Sequence, residues 1–138
     1  MRFFSPLPVL TDERAAYFTT IDYDRRMALV ATERVGDDAR IVGVGRYDRV
    51  DDEFAPDVRA EFALIVEDRV QHLGIGRVLF QAIVEIARAR GVKNFLADVL
   101  AENRRMLNLL RASGAPLKAR RTGSAIRVEL DLAVEPAE

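Results

Sequence analysis

From Ile126 to Leu132 the chain alternates without a fault: Ile126, Val128, Leu130 and Leu132 interleave with Arg127, Glu129 and Asp131. A period of two predicts a strand with one buried face. Shorter apolar runs at Met27–Glu33, Ile41–Tyr47 and Glu61–Val66 predict three more strands, the first two joined through Gly36-Asp37-Asp38 as a hairpin and the three forming an antiparallel meander. Between Val78 and Arg90 the spacing changes to that of a helix. Leu79, Ile83, Ile86 and Ala87 share one face, Arg77, Gln81, Glu85 and Arg88 lie on others, and Gly91 stops the element. Phe95–Leu100 is the next predicted strand, so strand, helix and strand should form a right-handed crossover with a parallel pair. A second helix is expected over Asn103–Ser113, with Met106, Leu107, Leu109 and Leu110 inward and Gly114 as its stop.

The ends carry weaker patterns. Residues 1–10 hold two prolines and an aromatic pair and should not form one regular element. Thr11 is a suitable N-cap for a short helix over Asp12–Thr19, with acidic residues in the first turn. Thr20–Arg26 is polar and expected to be irregular, Asp48–Asp57 reads as an acidic surface loop, and Lys118-Ala119-Arg120-Arg121 as a basic segment. The expected organisation is one domain over residues 1–134, with a loose tail at 135–138.

Composition narrows the chemistry. A chain of 138 residues with 49% hydrophobic and 31% charged residues is large enough for one domain with its own core. It has no cysteine and one histidine, His72, so disulfides, thiolate catalysis and a His/Cys zinc site are excluded and no metal is expected. A cysteine-free chain with no signal-peptide pattern and no apolar run near the roughly 20 residues of a membrane span is expected in the cytoplasm, away from membranes. The net charge of −1 hides a sharp step. Residues 1–70 hold 10 Lys and Arg against 15 Asp and Glu, whereas residues 71–127 hold 11 against 3. Without aromatics among the basic residues, and with an acidic N-terminal half, nucleic acid is not the expected partner.

The basic excess begins at the glycine loop Gln71-His72-Leu73-Gly74-Ile75-Gly76-Arg77, which lies between a predicted strand and a predicted helix. Backbone N–H groups at a helix start can hold phosphate oxygens; the competing reading is an ordinary turn with positive φ. A Walker A loop is ruled out because the chain has no Gly-Lys pair. A dinucleotide fingerprint fails too: Leu79 follows Gly74-Ile75-Gly76 and Asp48 follows Gly43-Val44-Gly45 where the third glycine should be.

Gln71-x-x-Gly74-x-Gly76, set between a meander and a helix, with Ala101-Glu102-Asn103 opening a second helix, resembles the acetyl-CoA motif of the GCN5-related N-acetyltransferase (GNAT) superfamily, Gln/Arg-x-x-Gly-x-Gly/Ala. Further stretches, among them Arg2–Leu7, Ile21–Val30, Ala60-Glu61-Phe62-Ala63 and Val99–Asn103, are similar to the acetyltransferase domain of bacterial Pat-type protein lysine acetyltransferases. The resemblance implies an α/β (α+β) GNAT fold: a mixed, mostly antiparallel central sheet with a splayed parallel pair and flanking helices. The usual first strand and helix would precede Met1 and pair with the first strand expected here, Met27–Glu33; either that first strand is dispensable, or a second subunit covers the edge as a homodimer, or the fold is incomplete.

The resemblance also implies a site. The backbone of Leu64, Ile65 and Val66 would pair with the pantetheine arm, and Gln71, His72, Leu73, Gly74, Ile75, Gly76 and Arg77 would surround the pyrophosphate of acetyl-CoA. Asn103 matches a position that contacts the arm and is also a suitable helix N-cap. Glu61, in the Ala-Glu-Phe-Ala stretch, is the expected general base, because a lysine with reference pKa about 10.4 reaches the thioester protonated. Burial would make it a better base. Many superfamily members place a tyrosine acid on the second helix; Met106–Leu110 has none, so no acid is assigned. Gly114-Ala115-Pro116 also stands where a glycine-aromatic pair is usual. The implied acceptor is a protein lysine, such as one of an acyl-CoA synthetase, or a small amine. The rival reading is an acyl-CoA-binding or protein-interaction module without turnover.

Overall fold

The computed structural model describes residues 4–7, 14–23, 25–50, 58–67 and 74–133. Ten elements follow one another: β1 (Phe4–Leu7), β2 (Arg14–Tyr23), β3 (Arg26–Val35), β4 (Asp38–Val50), β5 (Arg59–Val66), α1 (Ile75–Ala89), β6 (Asn94–Leu100), α2 (Arg104–Ala112), β7 (Leu117–Thr122) and β8 (Ala125–Asp131). Two compact units share them, Met1–Tyr47 with Ala63–Ile83 and Asp48–Phe62 with Val84–Glu138. Neither described helix is long and apolar enough to cross a membrane.

In the first unit the strand order is β1-β2-β3-β4-β5. Alternation along β3 buries Met27, Leu29, Ala31 and, unusually, Glu33, whose carboxylate lies 4.0 Å from the Arg40 guanidinium. β2 pairs antiparallel with β3 along ten residues, from Arg14↔Val35 to Tyr23↔Arg26, and β1 pairs with β2 from Phe4↔Thr19 to Leu7↔Ala16. This overturns three expectations. Residues 14–19 are strand rather than helix, residues 20–23 are strand rather than irregular, and β3 is not an edge. The physical reason lies in Tyr17, Phe18, Thr19, Thr20 and Ile21. These aromatic and β-branched residues favour a pleated strand, and the long ladder to β3 satisfies their backbone in a way that a two-turn helix would not. Thr11, Asp12 and Glu13 lie outside the described residues.

Helix α1 packs closely on β4 within this unit. A Cβ at Gly43 would lie 2.8 Å from Leu79 Cδ1 and 3.4 Å from Ile75 Cγ2, and one at Gly45 would lie 3.4 Å from Leu64 Cδ1. Thus Gly43 and Gly45, a failed dinucleotide fingerprint in the sequence, serve to let a helix lie against a strand. Ile75, Leu79, Phe80 and Ile83 are buried.

The second unit has the order β5-β6-β8-β7. Arg59↔Asn94, Ala60↔Phe95 and Glu61↔Leu96 make β5 and β6 a parallel pair, and the ladder ends there although both strands run on. On its other edge β6 pairs antiparallel with β8 along its full length. Phe62 stacks on Phe95 with ring centroids 5.1 Å apart, and Val128, Leu130 and Leu132 are buried as the alternation predicts. β4 extends to Val50 and so takes in the start of the acidic loop; residues 51–57 lie outside the described residues. The basic segment is also a strand, β7, because Leu117–Thr122 pairs with β8 through a turn at Gly123 and Ser124.

Candidate functional site

Helix α1 starts three residues earlier than the periodicity suggests, and its start is the feature of interest. Gly74 has φ of +82°, a conformation that a side chain resists, and turns the chain into the helix. The first intrahelical bond runs from the Val78 N–H to the Gly74 carbonyl at 3.2 Å, so the N–H groups of Ile75, Gly76 and Arg77 come before any intrahelical acceptor. The first turn contains no acidic residue, and the exposed Arg77 sits in it. A cation at the positive end of a helix dipole is unfavourable in isolation and becomes favourable with an anion beside it. This arrangement suits an anionic group.

Gly76 obeys a different constraint. A Cβ there would stand 3.4 Å from Val66 Cγ2 and 3.8 Å from Leu64 Cδ2, ordinary contact distances, so the structure brings the start of α1 against the end of β5 with room for alanine but little more. Leu64 and Val66 are half-buried and Ile65 is 69% exposed, while the Glu67 N–H donates to the Val42 carbonyl at 2.8 Å. Leu64, Ile65, Val66, Gly74, Ile75, Gly76 and Arg77 therefore belong to one unit; Ile75 is a fully buried packing residue whose N–H, rather than its side chain, is available to a ligand. Gln71, His72 and Leu73 lie outside the described residues.

The second unit holds Glu61 and Asn103. Glu61 is 61% exposed, so the burial that would raise its basicity is absent from this structure. Its carboxylate lies 3.7 Å from Arg127 Nη2, and Arg127 Nη1 donates a hydrogen bond of 3.0 Å to Asp98. The sequence pointed to neither Asp98 nor Arg127 as a functional residue. Their signal exists only as register: Asp98 faces Arg127 across β6 and β8, and Leu96, two residues before Asp98, faces Glu61. Asn103 caps α2, its Oδ1 accepting from the Met106 N–H at 3.1 Å, and the α2 segment 104–112 carries no tyrosine.

Comparison with known proteins agrees with this geometry. The model of the acetyltransferase (GNAT) family matches residues 2–115. Acetyltransferase PA5475 of Pseudomonas aeruginosa is 32% identical over 107 residues, 78% of this chain and 53% of that protein. The GNAT domain of S. lividans PAT superposes with a TM-score of 0.64 at 31% identity, covering 80% of this chain and 64% of that one. A PaiA N-acetyltransferase of Thermoplasma acidophilum, solved in complex with coenzyme A, shares the fold with a TM-score of 0.61 at 17% identity, over 78% of this chain and 61% of that one. The chain spans about half the length of PA5475 and less than two thirds of the S. lividans domain. With the family model running along most of its residues and a glycine-opened helix where the motif requires one, the chain belongs to the GNAT acetyltransferases, a family that uses acetyl-CoA.

Proposed function

We propose that this chain binds acetyl-CoA at the start of α1 and transfers its acetyl group to an amine, with a protein lysine, such as one of an acyl-CoA synthetase, as the acceptor. The observation that carries the cofactor half is the first turn of α1, where Gly74, three leading N–H groups and Arg77 meet with no acidic residue to oppose an anion. The backbone of Leu64, Ile65 and Val66 supplies strand-like donors and acceptors to the pantetheine arm. The lysine half is supported by the sequence resemblance to Pat-type enzymes and by 31% identity to the S. lividans PAT domain. A cytoplasmic location belongs to the same reading.

Acetyl-CoA supplies the acetyl group as an activated thioester. Glu61 takes a proton from the lysine ammonium, directly or through one water, which gives a neutral nucleophile. The C–N bond forms as the C–S bond breaks, and the sulfur departs as a thiolate. The second proton of the nitrogen passes through solvent to that thiolate, which leaves a neutral amide and free coenzyme A. With a thiol reference pKa of about 8.5 the leaving group needs little protonation help, which is compatible with an α2 lacking tyrosine.

The test joins two measurements. Acetyl-CoA should raise the melting temperature, and free thiol should appear only when an acyl-CoA synthetase is added. Replacing Glu61 by Gln should slow thiol release by about 10²-fold or more and leave the thermal shift intact. No shift with acetyl-CoA would overturn the whole reading. A shift with no thiol release from the synthetase, other proteins or small amines would leave a binding module instead.

A further inference from the structure

The sheet of the second unit ends at β7, which pairs with β8 and, among the described residues, with no other strand. Its hydrogen-bonding phase follows from the turn. Gly123 has φ of +63° and Ser124 a negative φ, the pattern of a type II′ turn, which makes Thr122 and Ala125 a hydrogen-bonded pair. Alternation then turns the backbones of Arg120 and Lys118 toward β8 as well. The Asp131 N–H, donating to the Pro116 carbonyl at 2.9 Å, continues the same phase. The N–H and C=O groups of Leu117, Ala119 and Arg121 therefore point the other way, off the edge of the sheet.

That edge is charged in one sense. Residues 118–122 are all exposed, Lys118, Arg120 and Arg121 lie among them, and the strand has no acidic residue. Nor is the charge balanced nearby. Lys118 and Arg120 form no ion pair among the described residues, and Arg120 stands directly opposite Arg127, whose guanidinium already donates to Asp98 at 3.0 Å. Like charges opposite each other in a ladder are unfavourable, and two copies of β7 side by side would add to the repulsion. A nucleic-acid backbone would meet the cations but has no alternating N–H and C=O groups to pair with the strand.

We propose that β7 is a docking edge for an extended acidic segment of a partner protein, which joins the sheet as the strand beyond β7. The outward backbone groups fix where the segment pairs, and the side chains fix its pattern. Lys118 and Arg120 lie on one face of the sheet, Leu117 and Ala119 on the other, and Arg121 Nε is tied back to the Gly123 carbonyl at 3.1 Å. The segment that fits has acidic residues at every second position and apolar residues between them. Basic residues on an edge discourage its pairing with basic segments and with its own copies, and by the same charge they select an acidic strand. Docking at β7 requires no acetyl-CoA.

The test uses the full chain and a short capped peptide of alternating Glu and Val. The peptide should bind and slow amide exchange at Leu117, Ala119 and Arg121. N-methylation of one alternate set of its amides should abolish binding while methylation of the other set is tolerated; the valine set is the sensitive one in an antiparallel pairing. Ala119→Pro removes an outward N–H that no described strand uses, so thermal unfolding should be unchanged while Kd for the peptide rises about tenfold or more. Lys118→Glu combined with Arg120→Glu should abolish binding of the Glu–Val peptide and create binding of its Lys–Val counterpart. No binding of the peptide, equal tolerance of both methylated sets, or equal binding of a glutamate homopolymer or an oligothymidylate overturns the proposal. Self-association of the chain that protects the same amides without peptide overturns it as well, in favour of a second copy.

Discussion

Gly74 and Gly76 are two residues apart and answer to different physics. Gly74 needs its φ of +82° and has open space where a Cβ would point; Gly76 has ordinary backbone but lies against Val66 and Leu64. Gly74→Ala should therefore destabilise the chain by about 1–2 kcal/mol through backbone strain and, by turning the leading N–H groups, weaken acetyl-CoA binding. Gly76→Ala should leave stability nearly unchanged and binding largely intact. Denaturant unfolding and calorimetric titration of the two variants check both halves, and equal losses from the two would contradict the assignment. The spacing of these glycines was visible in the sequence, but which one is held by conformation and which by contact was not, since both read as the same letter. Glu61 was visible in the same way. Its exposure and its neighbours were not.

Among the elements, those with a clean period were legible: β3, α1, α2 and β8 lie where alternation or helical spacing put them, within a few residues. Those that fail share a cause. Residues 14–23 and 117–122 become strands because the next strand in the chain lies beside them, β3 in one case and β8 in the other, while neither stretch alternates cleanly between apolar and polar residues. At the start of α2 two roles for one residue can be separated. Asn103→Ala should cost about 1 kcal/mol by removing the cap to Met106, and Asn103→Asp should restore that stability. If Asn103 also donates to the pantetheine arm, Asp will restore stability while KM for acetyl-CoA stays raised; recovery of both would make it a cap alone.

For the molecule as a whole, the charge step at residue 71 carries a consequence of its own. A ligand with several phosphate charges bound by a segment rich in Lys and Arg should respond to salt, because screening shortens from about 10 Å at 0.1 M to about 3 Å at 1 M. The Kd of acetyl-CoA should rise severalfold over that range, whereas acetyl-pantetheine, which lacks the phosphates, should bind weakly and almost independently of salt. Equal salt dependence for the two would place the phosphates away from the basic segment. What the amino-acid sequence determined alone was what its periods and spacings encode: most strands, both helices, the glycine loop and the family it signals. The tertiary structure decided which strands pair and in what register. It placed β2 on β3, ended the β5–β6 ladder at Glu61 and Leu96, and set Asp98 and Arg127 beside the proposed base. Periodicity is a property of neighbours along the chain, whereas register comes from the packing and hydrogen bonding of the whole sheet, and a slip of one residue would turn each of these side chains to the other face.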